Sequence, residues 1–172
     1  MLISLSILGV VFLFSLPTAI YYVENTRADT RIIQLYSTLL FARNMALASD
    51  QIVLICPTDD LHQCNGNWSD KLMVFTDQNE NQQVDGTDRV LRVLEPNTNG
   101  SLKWTAFGSN RYLKFVPYGF SNQQNGTFIY CGPSSKVKMS RGIIISKSGR
   151  ARFAEMTDQG GIIDANNQEI QC

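Results

Sequence analysis

An uncharged apolar stretch at residues 1–23 most constrains what this chain can fold into. Leu, Ile, Val and Phe dominate it from Leu2 to Leu16, and Pro17 follows. Roughly twenty apolar residues in a helix cross a bilayer, whereas a helix of a soluble domain is rarely apolar on every face. A cleaved secretory signal is disfavoured, because no basic residue precedes the apolar run and residues 15–17 make a poor cleavage site. The sequence therefore predicts a single-pass transmembrane anchor helix over residues 1–23.

The pattern beyond Pro17 becomes amphipathic. From Ile32 to Met45 the apolar residues recur at intervals of three and four, with polar residues between them, as on a helix with one apolar side. Pro17 cannot donate a backbone hydrogen bond, and it predicts a kink that a membrane tolerates. Residues 24–49 are therefore expected to continue the helix and to pack on a globular domain.

In residues 50–172 the apolar residues recur at a shorter spacing than in the helix. Their β-branched and aromatic residues gather in short runs that Asn, Gly, Asp and Pro separate, which indicates strands. Because no helical pattern lies between these runs, the predicted fold class is α+β, with the N-terminal helix packed on antiparallel β-sheet structure. The candidate strands cover residues 52–56, 72–76, 90–94, 102–105, 112–116, 127–131, 142–147 and 150–154.

The chain has 4 cysteines. On a polypeptide anchored in a membrane they suggest two disulfides formed outside the cytoplasm. Three pairings are open. We prefer Cys56–Cys64 with Cys131–Cys172, because the second bond would then tie the C-terminus to a strand. The alternative is a metal site that includes His62, but no Cys-x-x-Cys spacing is present, and neither a metal nor a cofactor is expected.

No sequence motif of an enzyme is present. The chain lacks a Gly-x-Ser-x-Gly element and a phosphate-binding loop, and a lone histidine in a loop, such as His62, is rarely a catalytic base. Oxygen-bearing side chains between Asp77 and Asp88 resemble a calcium loop, but Gln82 stands where that loop needs glycine. We therefore predict that the protein is not an enzyme.

The charges are unevenly distributed along the chain. The 15 Lys and Arg residues balance the 15 Asp and Glu residues, so the net charge is zero. Residues 50–95 nevertheless carry nine acids and three bases, residues 96–154 carry nine bases and no acid, and residues 155–172 carry four acids and no base. Since a ligand responds to the local field, the acid-free block at 96–154 is a candidate surface for a polyanion.

The acid-free block ends in a predicted hairpin. Ser148-Gly149 is a turn signal between two strand patterns, so residues 142–154 are expected to form a β-hairpin. Strand alternation places Arg150 and Arg152 on one face, roughly 7 Å apart. Six basic residues without an acid between positions 136 and 152 are typical of a protein that binds a nucleic-acid backbone.

Several short segments also match a known family in their order and spacing. They are residues 39–46 (LLFARNMA), 52–57 (IVLICP), 74–77 (VFTD), 88–92 (DRVLR), 115–119 (FVPYG), 126–131 (GTFIYC) and 149–152 (GRAR), together with Trp68. Nearly the whole chain resembles the minor type IV pilins and pseudopilins of the FimT and GspH type, and FimT above all. This resemblance implies a bacterial inner-membrane protein with a periplasmic head, which joins other pilin subunits in an extracellular type IV pilus.

One part of the family pattern is absent. Family members begin with a basic leader cleaved after Gly, and a methylated Phe and then a Glu follow the cleavage site. Counted back from Pro17, the position of that Glu falls just before Met1. Either the true start lies upstream, or this copy lacks prepilin processing and filament entry by the usual route. We favour the upstream start, which an in-frame Gly-Phe-Thr-Leu-x-Glu would support and stop codons would contradict.

The resemblance also assigns a role to the hairpin. In FimT-like pilins a GRxR motif lies at the DNA-binding surface used in natural transformation, and residues 149–152 match it. The residues predicted to bind DNA are Arg150, Arg152, Lys147, Lys136, Lys138, Arg141 and Gly149, with Lys103, Arg111 and Lys114 as an extension. Binding should be independent of sequence. Contacts to about four to six phosphates would give a log-log salt slope of about −4 to −5.

Two questions stay open at this point. Residues 115–120 are expected to be a core strand that leaves through a turn, with stacking of Tyr118 and Phe120 on bases as the alternative. The alternative function is that of a structural minor pilin or a type II secretion pseudopilin of the GspH kind. Such a subunit would prime filament assembly without binding DNA, and its basic hairpin would contact another subunit.

Overall fold

A computed structural model describes residues 2–96, 100–133, 140–157, 161–170 and 172, with side chains described from position 20 onward. Its first element is the helix α1, Leu2–Ser49, which continues through Pro17. The side chains of residues 1–19, on which most of the predicted anchor falls, lie outside the described set. Within the described residues, no helix has both the length and the apolar character that crossing a bilayer requires.

The helix contacts the rest of the chain along one side. Its buried apolar positions follow a spacing of three or four residues, because such positions share one face of a helix. They are Ala28, Ile32, Leu35, Leu39, Ala42 and Ala46. The predicted helical continuation with one apolar side is therefore confirmed for this part of the chain.

The described residues after the helix form ten strands. These are β1 Val53–Thr58, β2 Lys71–Thr76, β3 Val90–Leu94, β4 Ser101–Ala106, β5 Leu113–Phe115, β6 Gly126–Cys131, β7 Arg141–Ile145, β8 Ala151–Phe153, β9 Ile162–Ile163 and β10 Glu169–Ile170. Eight of them overlap the predicted strands. The sequence analysis missed β9 and β10, because two residues are too few to show an alternating pattern.

The strands build three antiparallel sheets. One four-stranded sheet has the order β3-β2-β1-β5, another has the order β4-β6-β7-β8, and β9 and β10 form a hairpin. Helix α1 and both four-stranded sheets share one core. The predicted α+β class, a helix packed on antiparallel sheets, is confirmed.

An aromatic cluster lies in this shared core. The Trp104 ring stacks on Phe128 at a centroid distance of 4.1 Å, and Trp68 meets the edge of Phe128 at 5.0 Å. Each indole N–H donates to a carbonyl oxygen of the loop between β4 and β5, from Trp68 to Asn110 at 2.7 Å and from Trp104 to Ser109 at 3.2 Å. The two large rings are therefore buried without an unsatisfied donor.

Two disulfides connect the pairs that the sequence analysis preferred. Cys56 in β1 bonds to Cys64 in the following loop. Cys131 at the end of β6 bonds to Cys172. The second bond closes 41 residues, so in the chain-entropy view it restricts the unfolded chain more than the first, which closes 8.

The loop between β2 and β3, residues 77–89, is held by its own side chains. The Asp77 carboxylate is buried and accepts hydrogen bonds from the backbone N–H groups of Asn81, at 3.1 Å, and Gln82, at 3.0 Å. Burial raises the pKa of Asp77 above its usual value, because it disfavours the charged form more than these two bonds favour it. Asp85 accepts from the Asn79 and Asn81 amides. The acids of this loop are thus used to hold its shape.

Candidate nucleic-acid interface

The hairpin expected over residues 142–154 is present and lies at a sheet edge. Strands β7 and β8 pair with Ile143 opposite Phe153 and Ile145 opposite Ala151. The Ser146 N–H donates to the carbonyl of Arg150 at 3.1 Å and closes the turn. Because β8 is the last strand of its sheet, no further strand of the described residues pairs with the outer edge of the hairpin.

Gly149 lets this turn approach a second turn of the chain. Its φ is +73°, and a Cβ atom at this position would overlap the carbonyl oxygen of Gly119. That same oxygen accepts a hydrogen bond of 3.0 Å from Nε of Arg43 on helix α1. Gly149 thus has a structural role, and the hairpin turn is fixed against the Gly119 turn and the helix.

Three basic side chains of the hairpin face solvent. Lys147, Arg150 and Arg152 are all exposed, and none of their side chains forms an ion pair or hydrogen bond with another residue in the described part of the chain. Ala151, between the two arginines, is buried. The alternation along β8 therefore turns Arg150 and Arg152 to the same outer face, about 7 Å apart along the strand.

Arg141, which the sequence placed in the DNA-binding set, has a different role. Its Nε lies 2.6 Å from Oδ1 of Asp29, and its Nη2 donates to Oδ1 of Asn25 at 2.7 Å. The side chain retains only 13% of its accessible surface. Both partners belong to helix α1, so Arg141 fastens the start of β7 to the helix. The sequence analysis did not expect these contacts of Arg141.

The expected extension is not contiguous with the hairpin. Lys114 is buried and pairs with Glu80 at 2.6 Å, and Arg111 donates to the carbonyl of Cys64 at 3.0 Å. Lys103 is exposed on β4, at the opposite edge of the sheet from β8, which three strand spacings place roughly 14 Å away. Lys136 and Lys138 lie outside the described residues. The described interface therefore consists of Lys147, Arg150 and Arg152.

An acidic turn borders this interface. Lys147 and Asp164, which lies in the turn between β9 and β10, line the same cleft of about 430 Å³. The Asp164 carboxylate accepts from the backbone N–H groups of Asn166 and Gln168, both at 2.8 Å. Thr127, which also lines this cleft, lies opposite Ile144, and Ile144 lies opposite Arg152. The acidic turn is therefore on the same face of the sheet as the two arginines, and it repels a polyanion from that part of the face.

Sequence reasoning did not single out Arg43, and it left Tyr118 and Phe120 undecided. Arg43 is a polar residue of an amphipathic helix, and its partner lies 76 residues away, a distance that leaves no sequence signal. The predicted turn after β5 is present, because the Gly119 N–H donates to the carbonyl of Val116 at 2.7 Å. Tyr118 and Phe120, however, are exposed and lie outside the core.

A long N-terminal helix packed on antiparallel sheets is the architecture of type IV pilin-like subunits. The family model described as type II transport protein GspH matches residues 32–149, more than half of the chain. The chain therefore belongs to the GspH family of minor type IV pilins and pseudopilins. The match ends at Gly149, so Arg150 and Arg152 lie beyond it. A comparison with curated protein sequences finds no match.

Solved structures of such subunits share the fold. The type IV minor pilin FimU of Pseudomonas aeruginosa is 18% identical and superimposes with a TM-score of 0.56, over 82% of this chain and 96% of FimU. The minor pseudopilin EpsH of the Vibrio cholerae type 2 secretion system is 12% identical, with a TM-score of 0.53 over 73% of this chain and 94% of EpsH. Family membership implies contacts with other subunits of a pilus or pseudopilus.

Proposed function

We propose that this chain is a minor type IV pilin that binds DNA without sequence preference during DNA uptake in natural transformation. One observation carries the proposal. Lys147, Arg150 and Arg152 are exposed at a sheet edge and have no ion-pair partner in the described part of the chain. Hydrogen bonds from Ser121 to the carbonyls of Ser146 and Lys147 hold the turn that carries them. Charged side chains that only make a surface soluble do not need a turn held in this way.

The chemistry of the arginine pair suits a phosphate backbone. A guanidinium presents a planar fork of N–H donors that matches phosphate oxygens, and spacing of about 7 Å lets two forks contact neighbouring phosphates of one strand. Such contacts fix position without reading bases, so affinity should be independent of sequence. Each phosphate contact also releases counterions and makes the affinity depend on salt.

The first experiment measures DNA binding by the purified full-length chain in a mild non-ionic detergent. A gel shift or fluorescence anisotropy titration is run on the wild type and on the double variant Arg150→Gln, Arg152→Gln, at several salt concentrations. We expect the double variant to bind at least about tenfold more weakly and to reduce the salt slope by about 1.8, which is two contacts at about 0.9 each.

The control removes the same two charges elsewhere. Arg27 on helix α1 and Arg89 before β3 are both exposed, so the variant Arg27→Gln, Arg89→Gln has the net charge of the first variant and an unchanged hairpin. We expect this control to bind DNA within about twofold of the wild type. Equal affinity of the wild type and the hairpin variant would reject the proposal.

The second experiment separates DNA uptake from filament assembly. Cells that carry Arg150→Gln, Arg152→Gln are scored both for transformation frequency and for surface pili. We expect a large drop in transformation with normal piliation, because the side chains of Arg150 and Arg152 form no ion pair or hydrogen bond in the described part of the chain. Loss of pili in the same cells would assign the hairpin to assembly instead.

That outcome would favour the second candidate function, a structural minor pilin or type II secretion pseudopilin that primes filament assembly. The family model and the fold shared with EpsH support it. A further observation is that Ile33 and Leu47 of helix α1 are exposed, at 56% and 47%, which suits contact with another subunit.

For both candidate functions, we propose that residues 1–23 anchor the chain in the inner membrane, with the head, residues 50–172, in the periplasm before assembly.

A further inference from the structure

Two turns from distant parts of the chain form one continuous surface. The first follows β5 and covers residues 116–121, and the second joins β7 to β8 and covers residues 146–150. The Ser121 N–H donates to the carbonyl of Lys147 at 3.2 Å, and its Oγ donates to the carbonyl of Ser146 at 3.0 Å. With the approach of Gly149 to Gly119, these contacts hold the first turn directly beside the basic hairpin.

The first turn presents two aromatic rings to solvent. Tyr118 is 78% exposed and Phe120 is 51% exposed, and they flank Gly119. Neither ring pairs with another aromatic ring among the described residues. An exposed ring forgoes the free energy that burial of its apolar surface would supply. Two such rings on a turn fixed by hydrogen bonds are therefore available to a partner.

Phe153 on β8 shows the difference between exposure and availability. It is 48% exposed, but its ring stacks on Tyr36 of helix α1 at a centroid distance of 4.6 Å and an interplanar angle of 27°. Its exposure is thus a by-product of packing the hairpin on the helix. Tyr118 and Phe120 stack on no ring of the helix among the described residues.

We propose that Tyr118 and Phe120 form a stacking platform for unpaired bases of single-stranded DNA, whose phosphates contact Lys147 and Arg150. The proposal rests on the DNA binding proposed above. Aromatic rings beside a basic groove are the common elements of surfaces that bind single strands, because every base has a face that can stack. In a duplex the faces of the bases are already stacked on one another. The platform therefore predicts tighter binding of single strands than of duplexes.

The test compares three DNA probes by fluorescence anisotropy with the full-length chain. They are a labelled oligothymidylate of about twelve nucleotides, a duplex of the same length, and a single strand of the same length in which all sites are abasic. The wild type should bind oligothymidylate most tightly. Its affinities for the duplex and the abasic strand should be lower, because neither offers a free base to the rings.

The variants remove the rings and leave the charges unchanged. Tyr118→Ala with Phe120→Ala should weaken oligothymidylate binding at least about tenfold, which is about 1.4 kcal/mol, because each base that stacks on a ring adds to the affinity. Binding of the duplex and of the abasic strand should change less than about twofold. Tyr118→Phe is the matched control, because it keeps the ring and should bind like the wild type. An unchanged thermal unfolding midpoint of each variant shows that the fold is intact.

The outcomes separate this inference from the proposed function. If the double alanine variant binds oligothymidylate as the wild type does, the platform is rejected while DNA binding by the hairpin stands. If it loses all three probes equally, the rings support the surface rather than stack on bases, and the inference is also rejected. If the wild type binds none of the probes, the proposed function itself fails.

Discussion

The loop between β2 and β3 and the hairpin of β7 and β8 use their charged side chains in opposite ways. In the loop, Asp77 accepts two backbone hydrogen bonds and Asp85 accepts two side-chain amides. In the hairpin, Lys147, Arg150 and Arg152 have no partner in the described part of the chain. The acids thus contribute to folding, whereas the bases are available to a ligand.

One basic residue next to this loop also uses its charge in a contact that holds the fold. Lys114 belongs to the same acid-free block of sequence as the hairpin, but its ammonium pairs with Glu80 of the loop at 2.6 Å. The Lys114 N–H also donates to Oε1 of Gln124 at 2.7 Å. A basic residue in the acid-free block is therefore not always available to a ligand. Whether its side chain is available depends on the acidic partners that the fold places beside it.

Among substitutions in the loop and the hairpin, Asp77→Ala should change the free energy of unfolding most. The variant Asp77→Ala leaves the N–H groups of Asn81 and Gln82 without an acceptor and replaces a buried carboxylate by a methyl group. We expect it to lower the free energy of unfolding by about 3 kcal/mol, measured by denaturant unfolding. The control is Asp85→Asn, an exposed position that keeps an acceptor oxygen, and its effect should be below about 1 kcal/mol. Equal effects of the two variants would show that Asp77 has no special role.

A smaller effect is expected at Gly149, and the acidic loop supplies its control. Gly149 has φ +73° and no room for a Cβ atom, whereas Gly86 has φ +51° and no atom within 4 Å of the position of a Cβ. Gly86→Ala should cost about 1 kcal/mol of unfolding free energy, for the left-handed backbone alone. Gly149→Ala should cost at least about 2 kcal/mol, because the methyl group also forces the two turns apart.

The comparison of Gly149→Ala with Gly86→Ala also tests why the GRxR motif begins with glycine. If Gly149→Ala and Gly86→Ala cost the same, the turns do not depend on close approach, and Gly149 needs another explanation. If Gly149→Ala costs more, the glycine of the GRxR motif has a structural reason that is separate from DNA. Calorimetric unfolding of both variants decides between these outcomes.

Much of this fold follows from local patterns in the sequence. Alternation placed eight strands, the apolar spacing from Ile32 to Met45 placed the buried side of the helix, and the turn signal at Ser148-Gly149 placed the hairpin. These features depend on neighbours within a few residues, which periodicity and turn chemistry describe. The short strands β9 and β10 carry no such pattern, and only their pairing defines them.

The candidate site was less predictable, because the partners of its members lie far away in the sequence. Strand alternation gave the shared face of Arg150 and Arg152 correctly. It gave no sign that Arg141 would meet Asp29, 112 residues away, or that Lys114 would meet Glu80, 34 residues away. Local composition thus identifies the charges of a surface, and tertiary contacts decide which of them stay exposed.

The smallest expected effect is on folding stability when the hairpin loses its two arginines. Because Arg150 and Arg152 have no partner in the described fold, the variant Arg150→Gln, Arg152→Gln should change the free energy of unfolding by no more than about 0.5 kcal/mol. Arg141→Gln is the comparison, since it removes one arginine of the same hairpin that does have partners in Asp29 and Asn25. Its loss should cost more than that of both exposed arginines, about 1–3 kcal/mol. Denaturant unfolding of the three proteins at one salt concentration tests this order. The reverse order would mean that Arg150 and Arg152 are held by the protein itself, and the contrast between a structural loop and an available hairpin would then be wrong.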